Sequence, residues 1–204
     1  MEPREPPAPA GTIALWWIGG GTFDGALLGA VRDSVARAFA REVILRDAPS
    51  RPVGTLDVRR GQHSSRALLA WLVSQAPPHQ RVLGITDVDL FIPVLTFVFG
   101  EAQLNGTGAV VSSARLVDGA DRQKTARRLA TEAVHELGHT FGLVHCGSAD
   151  ATERREARCV MSRSASVHAV DGKSERLCPD CRTRYLAFDQ DGLHVYRQHP
   201  HSDR

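Results

Sequence analysis

No apolar run approaches the roughly 20 residues that cross a bilayer. The longest, from Phe91 to Phe99, is interrupted by Pro93, so the chain reads as soluble, without a membrane partner. Charge of one sign is missing too: 25 Lys and Arg face 23 Asp and Glu, and the net charge of +2 is spread along the chain. That balance leaves no basic footprint for nucleic acid. There is no internal repeat and no low-complexity block beyond a proline-rich start. Residues 1–11 hold four of the eleven prolines with mixed charges, which predicts a disordered lead rather than the basic n-region of a signal peptide. The apolar stretch that follows, Ile13 to Ile18, is too short to export the chain, and a cytoplasmic location is expected. Cysteine is scarce, with four residues, and in a reducing compartment these are better metal ligands than disulfides.

A chain of 204 residues, 42% hydrophobic, has enough material for one core. A single domain over 12–204 is expected, with an upper part to Gly142 and a lower part from 143 to 204; nothing bears on oligomeric state, and a monomer is favoured. Ile13 to Ile18, before three glycines, reads as a buried first strand, and Leu27 to Phe39 has helical spacing. Val43 to Leu45, Val82 to Thr86, Leu95 to Phe99 and Ala109 to Ser112 read as further strands, the last two joined through Asn105-Gly106. Ser64 to Gln75 reads as a helix stopped by Pro77-Pro78. From Arg122 to Phe141 the pattern is firmly helical, since Leu129, Ala133, Leu137 and Phe141 recur every four residues, with Asp118 or Asp121 available as cap. The sum is an α/β (α+β) domain, a mixed twisted sheet with packed helices. After Gly142 periodicity fades and all four cysteines appear, so the last third reads as irregular and in need of something other than burial to order it.

The long helix ends in His135-Glu136-Leu137-Gly138-His139-Thr140-Phe141-Gly142-Leu143-Val144-His145. His135 and His139 lie one turn apart on one face, so both imidazoles can reach one ion. Glu136, beside the first ligand, can take a proton from the attacking water without ligating the metal. Gly142 can adopt the left-handed conformation that ends a helix and turns His145 toward the same ion. Three histidines leave a fourth position open, the mark of catalytic rather than structural zinc.

The pattern His-Glu-x-x-His-x-x-Gly-x-x-His resembles the metzincin metalloproteases. Cys146 directly after the third histidine, then Cys159-Val160-Met161 and Cys178-Pro179-Asp180-Cys181, are similar to the archaemetzincin signature, as are Gly84 to Leu90, Phe97 to Gly100 and Ser113 to Leu116. The likeness runs from about Ile13 to Cys181. It implies a compact metzincin-like domain that hydrolyses peptides or proteins with two Zn2+ per chain. One zinc is catalytic, on His135, His139 and His145 with Glu136 as general base. The other is structural, on Cys146, Cys159, Cys178 and Cys181, and stabilises the lower subdomain. Met161 would lie in a turn beneath the catalytic metal. Twelve residues separate Cys146 from Cys159, more than the family pattern has, and the small or charged Ser148 to Arg158 suits a solvent-facing insertion near the cleft. Ala109 to Ser112 is expected as an exposed edge strand that pairs with an extended peptide.

Several residues have other readings. Cys178 to Cys181 alone fits a redox pair, though a thioredoxin-like pair belongs in an early βαβ unit. A lone Met161 is by default a core gap-filler. Asp87 and Asp89 read as turn caps, His194, His199 and His201 as solvated tail, and Trp16 and Trp17 as core and strand edge. Two rival functions remain open: a zinc-stabilised module that binds peptides without cleaving them, and zinc storage or sensing. Glu136 favours the enzyme, because pure binding has no use for a carboxylate there.

Overall fold

A computed structural model describes residues 11–20, 24–48, 50, 52–119, 121–147 and 158–198, with side chains as far as 188. All of the expected lead but Gly11, all of the expected Ser148 to Arg158 insertion but Arg158, His199, His201 and the side chain of His194 lie outside the described residues. Strand β1 (Ile13–Trp17) is buried along its whole length, so both faces of its sheet must be covered. Period-2 alternation divides it: Ile13, Leu15 and Trp17 join one core cluster, Ala14, Trp16 and Ile18 the other. Both tryptophans are thus core.

Helix α1 (Gly25–Phe39) is capped by Asp24 and buries Leu28, Val31, Val35 and Phe39 on the first face. Strand β2 (Val43–Asp47) then pairs parallel to β1. A small sheet follows, of β3 (Leu56–Asp57), β4 (Gln62–Ser64) and, after an intervening strand, β6 (Leu90–Phe91). These strands are too short for an alternation signal. Helix α2 (Ser65–Gln75), capped by Ser64, covers the second face with Leu68, Leu69 and Leu72. Strand β5 (Arg81–Thr86) pairs parallel to β1, and β8 (Gly108–Ser112) pairs parallel to β5. Strand β7 (Gly100–Ala102) runs antiparallel to β8, giving the order β2-β1-β5-β8-β7.

Three expectations are corrected. Leu95 to Phe99 is not a strand: Pro93 offers no amide to a ladder, the Leu95 amide turns back to the Ile92 carbonyl, and only Val98 bridges, to Leu90. Ala109 to Ser112 is not an edge, since β8 lies between β5 and β7 and is fully buried; the edge is β7. The last third is more regular than its pattern implied, with α4 (Val167–Asp171) and α5 (Pro179–Gln198). Helix α5 docks through a shared core: Tyr185 is 1% exposed, donates to the Phe39 carbonyl at 2.6 Å and packs against the rings of Phe39 and Phe141. Such burial is invisible to a search for a separate apolar stripe.

Helix α3 (Arg122–Thr140), capped by Asp121, packs its Leu129, Ala133 and Leu137 stripe, with Phe141 just beyond, on the same side of the sheet as α1. Its polar face is almost as buried, with Arg128 at 6%, Glu132 at 2%, His135 at 5% and Glu136 at 6% exposure. Buried polar groups need partners, and those partners make the site.

Candidate metal centres

Helix α3 ends where Gly142 takes φ +75°, the left-handed conformation expected of it. The amides of Gly142 and Leu143 bond back to the carbonyls of His139 and Gly138. This turn sends His145 back over the helix end. The three imidazoles converge, with ring centroids 4.8 to 5.2 Å apart. The Nδ1 of His135 lies 2.9 Å from the Val160 carbonyl and that of His139 lies 2.6 Å from the Leu143 carbonyl. A carbonyl only accepts, so each Nδ1 carries the proton and each Nε2 is left as a bare lone pair. The two Nε2 atoms stand 3.3 Å apart. Tetrahedral ligands at the usual Zn–N distance of ~2.05 Å stand about 3.3 Å apart, so the donor set fits zinc.

Burial is the first cause that lowers the pKa of all three histidines, furthest for His135, where Lys173 and His139 add to it. All three are therefore neutral imidazoles near neutral pH. Burial likewise raises Glu136 well above the carboxylate range; Glu132 pushes the same way and Lys173 opposes. Glu136 packs against the edge strand, since a Cβ on Gly100 would come within 2.8 Å of its Oε1. Glycine there brings β7 against the carboxyl.

The second cluster is Cys146, Cys159, Cys178 and Cys181, whose sulfurs lie within 4.8 Å of one another. Cys146 Sγ and Cys178 Sγ are 3.8 Å apart, too far for a disulfide and equal to the roughly 3.8 Å between thiolates on a tetrahedral zinc. None of the four is in a disulfide, and burial pushes the Cys159 thiol up to about 11 and raises Cys181 as well. Four thiols at metal spacing, Cys159 and Cys181 buried and Cys146 and Cys178 half-buried, suit a closed centre rather than a redox pair.

Met161 is fully buried beneath α3, and a Cβ on Gly138 would lie 2.4 Å from its Sδ. Gly138, at a variable position of the motif, admits the methionine, a reason the motif's spacing did not disclose. Also missed was a buried group beneath His135: Lys173 Nζ donates to Glu132 Oε1 at 2.8 Å, Ser164 donates to the same oxygen at 3.1 Å, and Lys173 is 0% exposed. Glu132, one turn before Glu136, carried a positional signal; Lys173, in a polar stretch, carried none. Asp89 is held below the usual carboxylate range first by Arg115, which grips it at 2.7 Å through two nitrogens, and Asp87 accepts from the Gly20 amide at 2.9 Å. These contacts tie distant segments together and are not the local turn caps expected of the two residues.

A mixed α/β domain with two of these histidines on its long helix and the third just beyond it falls in the metzincin class of zinc metallopeptidases. Comparison narrows this: the family model of peptidase family M54 matches residues 53–186, and the chain belongs to that family. It is 47% identical to the archaemetzincin of Methanopyrus kandleri over 60% of this chain and 65% of that protein. With the archaemetzincin of Haloquadratum walsbyi it shares 38% over 69% of this chain and 80% of the other. The fold matches the crystal structure of the Methanopyrus kandleri archaemetzincin with a TM-score of 0.78 and 34% identity, covering 90% of this chain and 98% of that one. A zinc-dependent peptidase from Methanocorpusculum labreanum matches at 0.73 and 25%, over 85% and 99%. The chain is therefore a zinc metallopeptidase, and no helix among its described residues is long and apolar enough to cross a membrane.

Proposed function

We propose that His135, His139 and His145 hold a catalytic zinc through their Nε2 atoms, with Glu136 as general base, and that the four cysteines hold a second, structural zinc. The carrying observation is the pair of Nδ1–carbonyl bonds, at 2.9 and 2.6 Å, that aim two Nε2 atoms at a common point 3.3 Å apart. Bound zinc supplies a Lewis acid that makes water acidic near neutrality and polarises the scissile carbonyl. The protein's own groups do the rest. Glu136, made more basic by burial, takes the proton of the attacking water and delivers it to the leaving amine. Among the described residues strand β7 has a sheet partner on one side only, β8, and it passes Glu136 at Gly100. An extended peptide added to that edge runs past the carboxyl. The thiols and the expected cytoplasmic location agree, because a reducing compartment keeps the cysteines free for metal.

The test is metal content with cleavage of a random peptide library, for the native chain and Glu136→Ala. Two zinc ions per chain, with cleavage lost by about 10²–10⁴-fold in the variant while metal is retained, is the expected result. Two zinc ions without cleavage in either form would favour the peptide-binding module, and one ion or none would overturn the ligand assignment.

A further inference from the structure

We propose that the tetracysteine cluster is the positioning device of the catalytic histidines, so that ion binding at the thiolates and at the imidazoles is thermodynamically coupled. This rests on the reading that both clusters hold ions.

Three of the links that position the histidine site lead within two residues to a cysteine. Cys146 directly follows His145, the one ligand that the helix does not place. Cys159 directly precedes Val160, whose carbonyl accepts the Nδ1 proton of His135 at 2.9 Å. The next residue, Met161, fills the space at Gly138 between the two helical ligands. The two segments are bound to each other, because the Cys146 amide donates to the Met161 carbonyl at 2.9 Å. On the far side the Val160 amide donates to the Arg176 carbonyl at 3.1 Å, and the Cys178 amide donates to Cys159 Sγ at 3.3 Å. Consecutive Cα atoms are about 3.8 Å apart with only two soft torsions per residue. A sulfur released from its ion therefore moves the neighbouring carbonyl, thioether or imidazole with little slack. Helix α3 presents His135 and His139 in any event; the cysteine cluster decides whether His145 joins them and whether the His135 ring is held.

The coupling is read from zinc affinities, independently of hydrolysis. Cys181, on α5, is the cysteine furthest along the chain from the histidine segment, so Cys181→Ser perturbs the cluster without altering residues 145–161. In the full chain, chelator competition should show histidine-site zinc weakened by about 10–100-fold. Cys181→His, which restores a fourth zinc-competent ligand, should recover it. Linkage demands the reciprocal effect. His139→Ala, which removes the histidine-site ion and leaves all four thiols in place, should weaken thiolate-bound zinc by the same factor. A Cys181→Ser chain that loses its cysteine-site ion yet binds zinc at the histidines with native affinity would overturn the proposal. So would unchanged thiolate affinity in His139→Ala, which decides the matter if Cys181→Ser does not fold. Coupled affinities in a chain that cleaves no peptide would sink the peptidase mechanism alone; cleavage with uncoupled affinities would sink this inference alone.

Discussion

Strand β1 and the Lys173–Glu132 pair are equally buried, but by different interactions. The five residues of β1 are apolar and no more than 6% exposed, and full burial of a large apolar side chain stabilises by about 1.5–3 kcal/mol. Around Lys173 the buried groups are polar. Its ammonium meets Glu132 at 2.8 Å, Arg128 grips Asp171 through two bonds of 2.7 Å, and Arg127 donates to the Lys173 carbonyl at 2.9 Å. The upper region is held by many interchangeable contacts. The lower region depends also on a few polar contacts, and losing Lys173 or Asp171 leaves the buried charge of Glu132 or Arg128 behind. A site assembled from both inherits the rigidity of one and the all-or-none character of the other.

Chelation of zinc should separate the two regions most. Structural zinc contributes about 10–16 kcal/mol to small zinc domains, so amides of residues 158–188 should lose protection from hydrogen exchange while β1, β5 and β8 keep theirs. Equal loss in β1 would break the comparison. Next comes Lys173→Met, which strands Glu132 and should cost about 3–5 kcal/mol by urea unfolding, whereas the double variant with Glu132→Leu should recover most of it. If the single variant is no less stable than the double, the ion pair is not what holds the lower region. Gly138→Ala tests the seam itself. Crowding of Met161 should cost about 1–3 kcal/mol, offset by the roughly 1 kcal/mol that alanine gains in a helix; an unshifted Tm would show that the methionine yields. The smallest effect belongs to Asp89 and Arg115 in the upper region, whose side chains are 26% and 42% exposed. The Asp89 pKa is lowered, so its contribution is present above about 3.8 and is lost as pH falls below it. The stability gap between native and Asp89→Asn, read by urea unfolding, should therefore stay within about 1 kcal/mol at neutral pH and close in acid.

What could be read in advance followed from local periodicity and from one spacing. The α3 stripe, its Asp121 cap, the Gly142 turn and the three histidines needed only one helix and one glycine, so sequence distance served as spatial distance. The edge strand was misplaced because Ala109 to Ser112 and Gly100 to Ala102 differ in pairing rather than in pattern. Helix α5 was missed because it shares the core of α1 through Tyr185 and Phe39, 146 residues apart. Lys173 gave no signal because a buried lysine and a surface lysine look alike until a partner such as Glu132, 41 residues away, is brought beside it.

By itself the sequence determined that His135, His139 and His145 could share an ion and that four thiols accompany them, since ligand type and helical pitch are local properties. Only the tertiary structure decided that Val160 and Leu143 aim those imidazoles, that Gly100 brings β7 against Glu136, and that Cys146 and Cys159 brace the site from behind. Those contacts join segments distant along the chain, and the packing of the whole domain sets which of them meet.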